Sequence, residues 1–274
     1  MDQAKVGKKY RSALGKWLVA AVVGLLFIGW LLNTPQGLLG KADAVGYAVC
    51  HRIDTRSFHI GERPLPLCVR CSGMYLGAMV GLLYQLLIGS KRGGIPPKRV
   101  LVVLGLFVMA FAIDGLNSYL HLPFFPGAPS IYEPSSTSRL LTGTGMGLVI
   151  AVILYPSFNQ TVWQDWQRKP SVSGLRSLSF LVALVLLLDI LVLTEIPAIL
   201  YPLSFICAAG VLILLSVVYG MLWVILFRKE NQYRQFRQLW LPLLGGFGLA
   251  LTQIIVFSVI RYALTGTWEG FHLG

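Results

Sequence analysis

Residues 50–73 read CHRIDTRSFHIGERPLPLCVRCSG and lie between two long apolar stretches. These 24 residues hold three of the chain's four cysteines, two of its four histidines and four of its arginines. Sulfur, imidazole and guanidinium at this density suit two kinds of chemistry. In the first, Cys50, Cys68 and Cys71 with one histidine form a tetrahedral Cys3His site for zinc or another transition metal, combining a Cys-x-x-Cys knuckle with a distant Cys-His element. His51 is the histidine next to a ligand. Because adjacent residues rarely share one ion comfortably, His59 and His121 are further candidates for the fourth position.

In the second chemistry, Cys68 and Cys71 are a redox pair at a helix start, where unpaired amides and the helix dipole favour a thiolate. Cys50 is then the resolving or substrate-linked thiol, and a membrane quinone takes the electrons. Three cysteines cannot all pair within one chain, so a purely structural disulfide framework is incomplete. Cys207, well inside a later apolar run, reads as an inert buried residue.

The arginines admit two readings. They either pair with Asp43, Asp54 and Glu62 or reach headgroup phosphates, or some of them converge on an anionic ligand, which a guanidinium binds through two parallel hydrogen bonds. Arg52, Arg56 and Arg70 are the ligand candidates, and Arg63, beside Glu62 and a proline, reads as structural.

A second constellation follows in AIDGLNSYLHLPFFPGAPSIYEPSSTSRLLTGTGMG. Asp114 stands near the end of an otherwise apolar helix, where an ionisable group is costly and marks a functional site by default. Asn117 and His121 share its face at i+3 and i+7. Glu133, a run of hydroxyl residues, Arg139 and Thr142 come next, and a helix start of this kind can hold an oxyanion. The expected roles are catalytic for Asp114 and Arg139, which form the expected ion pair, and ligand-binding for His121, Glu133 and Thr142. Gly143, Gly145 and Gly147 permit close helix approach.

The elements that must position these groups are membrane spans. The 274-residue chain is 55% hydrophobic and only 12% charged, with a mean hydropathy of +0.70. A bilayer core of about 30 Å calls for about 20 apolar residues per helix. Seven runs qualify, near residues 17–32, 72–88, 100–119, 140–155, 178–193, 198–227 and 239–264. The fold class is therefore all-α, a polytopic bundle of about seven spans, the first read as a retained signal anchor.

The net charge of +12 falls mainly before the first span and in the second, fourth and sixth connections. That pattern places the N-terminus in the cytoplasm and the C-terminus outside, and it accounts for the basicity without a nucleic-acid partner. The segment from residue 33 to 71 is then outside, yet it carries five cations against three acids, which topology alone does not explain. Organisation is read as a basic tail (1–16), a four-span region with both loops (17–156) and a three-span region (157–274). In the latter, Asp189 is expected to pair with a residue such as Gln253 or to face other helices, and Trp163, Trp166, Tyr233 and Trp240 read as interfacial anchors. His272 reads as solvated.

Together these motifs resemble the domain of unknown function 2085 family of prokaryotic membrane proteins. The resemblance rests on Cys50-His51-Arg52, on Arg56-Ser57-Phe58, and on Pro66-Leu67-Cys68 with Arg70, Cys71 and Gly73. It continues at Asp114-Gly115 and at Arg139, Thr142 and Gly143, and covers roughly residues 45–155. It implies an integral membrane protein and no particular activity. The combined expectation is a multi-pass protein of the cytoplasmic membrane, in contact with membrane lipids. Its outer face carries a metal site that serves an anionic or lipid-linked ligand. A thiol oxidoreductase coupled to quinone and a non-catalytic channel or scaffold are the alternatives.

Overall fold

The computed structural model describes residues 3–121 and 131–269, with side chains from Leu14 onward. His272 lies outside the described residues. Among the described residues eight α-helices follow in order: α1 (Gln3–Asn33), α2 (Gly37–Val49), α3 (Val69–Ile88), α4 (Lys98–Leu120), α5 (Ser136–Val162), α6 (Leu175–Val192), α7 (Pro197–Leu226) and α8 (Trp240–Thr265). All but α2 belong to segments long and apolar enough to cross a membrane. The chain is a multi-pass membrane protein. Many large apolar side chains on these helices face outward, among them Leu25, Val102, Phe180, Leu187 and Ile260, as expected where lipid rather than water is the solvent.

Backbone-to-backbone packing holds α3 and α5 together. Gly73, Gly77 and Gly81 recur every fourth residue on α3, and Gly143 and Gly147 do so on α5. A Cβ on Gly143 would lie 2.2 Å from the Arg70 carbonyl oxygen, and one on Gly147 would lie 2.1 Å from that of Met74. On α3, a Cβ at Gly77 would come within 2.4 Å of the Thr144 carbonyl oxygen. Small residues spaced in this way let two helices approach where no hydrophobic force separates protein from lipid. Gly145 instead meets Phe107 of α4.

The sequence predicts a loop from residue 33 to 71, but most of its first half is the helix α2. At 13 residues α2 is too short to span a bilayer, so hydropathy runs of span length pass over it. The rest of the segment is a short turn and a two-residue antiparallel hairpin pairing His59 with Pro64. Phe58, Leu65 and Leu67 bury themselves in the same apolar core as Leu200, Leu203 and Leu251 of α7 and α8.

At the opposite end of the bundle, Trp163 is fully buried rather than an interfacial anchor. Its indole donates to Asn159 Oδ1 at 2.9 Å, and the Lys91 ammonium sits 4.9 Å from its ring centre. Asp189 accepts at 2.8 Å from Thr144 Oγ1 of α5, not from Gln253, whose side chain accepts from Tyr219.

Candidate metal and ligand site

Cys50 caps the C-terminal end of α2, and Cys68 is the N-cap of α3, with Cys71 in its first turn. Gly46 makes the meeting possible. A Cβ there would lie 1.9 Å from the Pro66 carbonyl oxygen, so only glycine lets α2 settle against the Pro-Leu-Cys segment. One turn later, the Cys50 sulfur accepts the Cys68 amide at 3.3 Å. The Cys50, Cys68 and Cys71 sulfurs all lie within 4.8 Å of one another, and none is in a disulfide. Three thiolates on one tetrahedral zinc, with Zn–S of about 2.3 Å, would stand about 3.8 Å apart. The three sulfurs are therefore within a small adjustment of that geometry.

The sulfurs are unequal as acids. Cys50 is held well below the ordinary thiol range because the Cys68 and Cys71 thiols and the Cys68 amide all direct hydrogen bonds at it. Cys68, as a donor to Cys50, is pushed up to about 12. The sequence points to the Cys-x-x-Cys at the helix start as the place for a thiolate. The structure instead gives the low pKa to Cys50, because the convergence of donors depends on tertiary contact.

His51 stands outside the sulfur triangle, since its Nδ1 accepts the Ile53 amide of its own turn at 3.2 Å. Burial, more than any neighbouring charge, lowers its pKa. Neither alternative histidine joins the sulfurs. His59 Nε2 bonds Asp54 at 3.0 Å, and the exposed His121 donates from Nδ1 to the Asn117 carbonyl at 2.8 Å.

The expected ion pair of Asp114 with Arg139 is not formed. Arg70, one residue before Cys71, takes Asp114 instead. Its Nε donates to Asp114 Oδ2 at 3.0 Å, and its terminal nitrogen reaches the same oxygen, the Asp114 carbonyl (3.0 Å) and Ser118 Oγ (2.8 Å). A Cβ added at Gly115 would stand 3.8 Å from the Arg70 guanidinium, in ordinary contact with it. Tyr132 donates to Asp114 Oδ1 at 2.5 Å and Thr142 to Oδ2 at 3.3 Å, so both carboxylate oxygens are taken. Asn117, one turn on, holds the following loop through the Ile131 amide and the Tyr132 carbonyl.

Arg56 joins this network by donating to the Ser118 carbonyl at 3.0 Å. Arg139 has a buried Nε with no hydrogen-bond partner among the described residues. Arg56 feels the charge of Arg70, and Arg139 feels those of Arg56, Arg70 and Asp114. Three guanidiniums thus gather beside the sulfurs around a single buried carboxylate.

Arg52 and Glu133, like His121, fall outside this cluster. Arg52 is a clamp, paired with Asp43 at 2.9 Å and donating to the Trp268 carbonyl at 3.3 Å. Arg63, expected to be structural, also contacts Asp43. Glu133 is exposed at the surface. Arg261 of α8, which the sequence does not single out, donates to the carbonyls of Tyr47, Cys50 and His51 and so fixes the turn that carries the first sulfur. An arginine near the end of an apolar span was the available signal.

Residues 50–153 match the family described as predicted membrane protein (DUF2085). That segment runs from the first cysteine through α3, α4 and most of α5, and it contains every member of the sulfur and guanidinium clusters. An uncharacterized protein of Methanothermobacter thermautotrophicus is 32% identical over 105 residues, which are 38% of this chain and 83% of that one. An uncharacterized protein of Methanocaldococcus jannaschii is 25% identical over 124 residues, 45% of this chain and 72% of that one. No solved structure matches significantly. With the motif residues brought together at one end of an apolar bundle, the chain belongs to the DUF2085 family of predicted membrane proteins.

Proposed function

We propose that this protein carries a metal ion, zinc or a transition metal of similar ligand preference, on Cys50, Cys68 and Cys71. We place the site on the extracytoplasmic face of a cytoplasmic membrane, where it binds an anionic ligand. The observation that carries the reading is the approach of three reduced sulfurs to within 4.8 Å of one another. Three protein ligands leave the fourth tetrahedral position for water, ligand or a reoriented His51.

The guanidinium cluster supplies the reason for an anion. Arg70 is neutralised by Asp114, whereas Arg56 and Arg139 have no carboxylate partner among the described residues. Arg139, with its unpartnered buried Nε, is the residue we assign to ligand contact, with Arg56 beside it. Asp114 acts as a positioning residue that holds Arg70, and Thr142 and Tyr132 hold Asp114.

Metal content of the protein purified without chelator tests this reading. A single ion per chain is expected, lost when Cys50, Cys68 or Cys71 is replaced by alanine. Absence of metal from the wild type, or its retention in the triple variant, contradicts it.

A thiol–disulfide oxidoreductase, passing electrons to a membrane quinone, is the second reading, favoured by the lowered Cys50 pKa. It requires a metal-free protein in which Cys50 forms a disulfide with Cys68 or Cys71 under oxidising conditions.

A further inference from the structure

We infer that the cavity between α1 and α8 is a binding site for one acyl chain of a bilayer lipid, held by hydrogen bonds to the ester carbonyl at its head. The site stands apart from the cysteine cluster, and the inference does not depend on the metal reading.

The two helices touch along one edge. A Cβ on Gly248 would lie 2.6 Å from the Val23 side chain, and the Phe27 and Phe247 ring centres stand 5.8 Å apart. Beside that edge a cavity of about 700 Å³ lies between them, within the usual range for small-molecule sites. Val22, Leu26, Gly29 and Asn33 line it from α1 at i, i+4, i+7 and i+11, and Ile255, Ser258 and Tyr262 line it from α8 at i, i+3 and i+7. At 1.5 Å per residue the cavity follows α1 for about 16 Å, which suits a chain better than a compact molecule. A Cβ on Gly29 would meet nothing within 4 Å. Leu25 and Val259, also in its lining, are 71% and 62% exposed on two spans, so the cavity opens sideways to hydrocarbon.

Two polar groups in this lining have nothing to bond. The Trp30 indole N–H and the Ser258 hydroxyl are buried without a hydrogen-bond partner among the described residues, and both residues line the cavity. Trp30 is 7% and Ser258 5% exposed, which keeps solvent from supplying the missing bonds. Ser258 differs from its neighbours on α8, since Thr252 and Thr265 donate back to the carbonyls four residues earlier at 2.8 and 2.9 Å, the common resort of a hydroxyl inside a helix. An orphaned donor in apolar surroundings is costly.

The chemistry of the missing partner follows. An indole N–H can only donate, so the partner is an acceptor oxygen. That oxygen is uncharged, because no Asp, Glu, Lys or Arg is among the described residues lining the cavity and a charge drawn inside would be desolvated without a counter-charge. Trp30 lies three residues, about 5 Å, inside the end of α1, at the level where tryptophans meet the headgroup boundary. An acyl ester offers a neutral carbonyl at that level and continues directly into an apolar chain, while its phosphate stays outside the cavity.

Full-length protein stripped of lipid tests the assignment. It is titrated in detergent with two phosphatidylcholines of identical head and chain length, one diester and one diether, and bound lipid is counted by native mass spectrometry. The diether lacks only the carbonyl oxygens. One diester molecule per chain is expected to bind about tenfold more tightly than the diether, the worth of a hydrogen bond restored to a buried donor. Trp30→Phe, which keeps a ring without the N–H, and Ser258→Ala should each shrink that preference and together erase it. Gly29→Leu, which fills the cavity and leaves both donors in place, should abolish the tight site for either lipid.

Equal affinity for the two lipids, a preference that survives the double variant, or a tight site that survives Gly29→Leu overturns the inference. Thermal unfolding checks that each variant is folded, and if Trp30→Phe is not, Ser258→Ala and Gly29→Leu carry the test. A copurifying quinone that excludes the diester lipid from the site would also overturn it, by giving the cavity to a different carbonyl compound.

Discussion

Asp114 is the residue on which the arrangement of charges turns. It is almost fully buried and accepts from Arg70, Tyr132 and Thr142, tying α3, α5 and the connection before α5 to α4. Removing one partner of such a pair leaves a desolvated charge unmatched, a loss of about 3–5 kcal/mol. Asp114→Ala should therefore lower the unfolding midpoint in detergent sharply. Asp114→Asn, which keeps one acceptor oxygen but loses the charge and puts an amide donor where the other oxygen stood, should cost less, about 1–3 kcal/mol. Equal stability of the alanine variant and the wild type would remove Asp114 from its central place.

Tyr132 offers a titration at the same node. Its phenol is pushed up to about 12, first by desolvation and then by donating to Asp114. A raised folded-state pKa stabilises below the unfolded value of about 10 and is lost as pH climbs through the folded one. The stability gap between wild type and Tyr132→Phe should be constant below about pH 10 and shrink toward pH 12. A gap that stays level over that interval would mean the bond to Asp114 is not made.

At this scale the sequence was half legible. The sulfurs, Asp114 and the arginines were identifiable by type, because such groups are costly in an apolar chain. Their pairing was not, since Arg139 at the head of the following span reads as the partner of Asp114, and only the α3–α5 packing brings Arg70 to α4 in its place.

The helices carry the next level of the argument. Seven apolar runs were readable because hydrocarbon demands long uninterrupted segments. The helix α2 escaped because its 13 residues meet no such demand. The glycine ladder was readable in principle at Gly73, Gly77 and Gly81, where the four-residue spacing is plain. Gly143, Gly145 and Gly147 stand at alternate positions, a spacing that hides which of them face α3. The structure sorts them, with Gly143 and Gly147 against α3 and Gly145 against α4.

Gly147→Ala should force α3 and α5 apart and destabilise by about 1–3 kcal/mol or more. Gly105→Ala, where an added methyl meets nothing within 4 Å, should be neutral or slightly stabilising, since alanine is the better helix former. Thermal unfolding of the two variants in one detergent compares them directly. A harmless Gly147→Ala would show that the close approach is not what holds the helices.

Over the whole molecule, the sulfur and guanidinium cluster and the family match fall on the same segment. The family match ends within α5 and covers Cys50, Cys68, Cys71, Asp114 and Arg139. The last three spans lie beyond it, yet α7 and α8 contribute Leu200, Leu203, Cys207 and Leu251 to the core under the cysteine loop, and Arg261 to its turn. The site is thus built by the matched segment and braced by the remainder. The bias of Lys and Arg toward alternate connections predicts a cytoplasmic N-terminus. A reporter fused there should be shielded from protease added outside intact cells, while a tag after Gly274 should be cleaved. The opposite pattern would put the cysteines inside.

The most direct test of the central claim is X-ray absorption at the edge of whichever metal copurifies. Three sulfur neighbours at about 2.3 Å and one lighter neighbour are expected for zinc. A first shell of nitrogen and oxygen alone, unchanged by Cys50→Ala, would contradict the account, because the ion would then sit elsewhere and the three sulfurs would hold nothing.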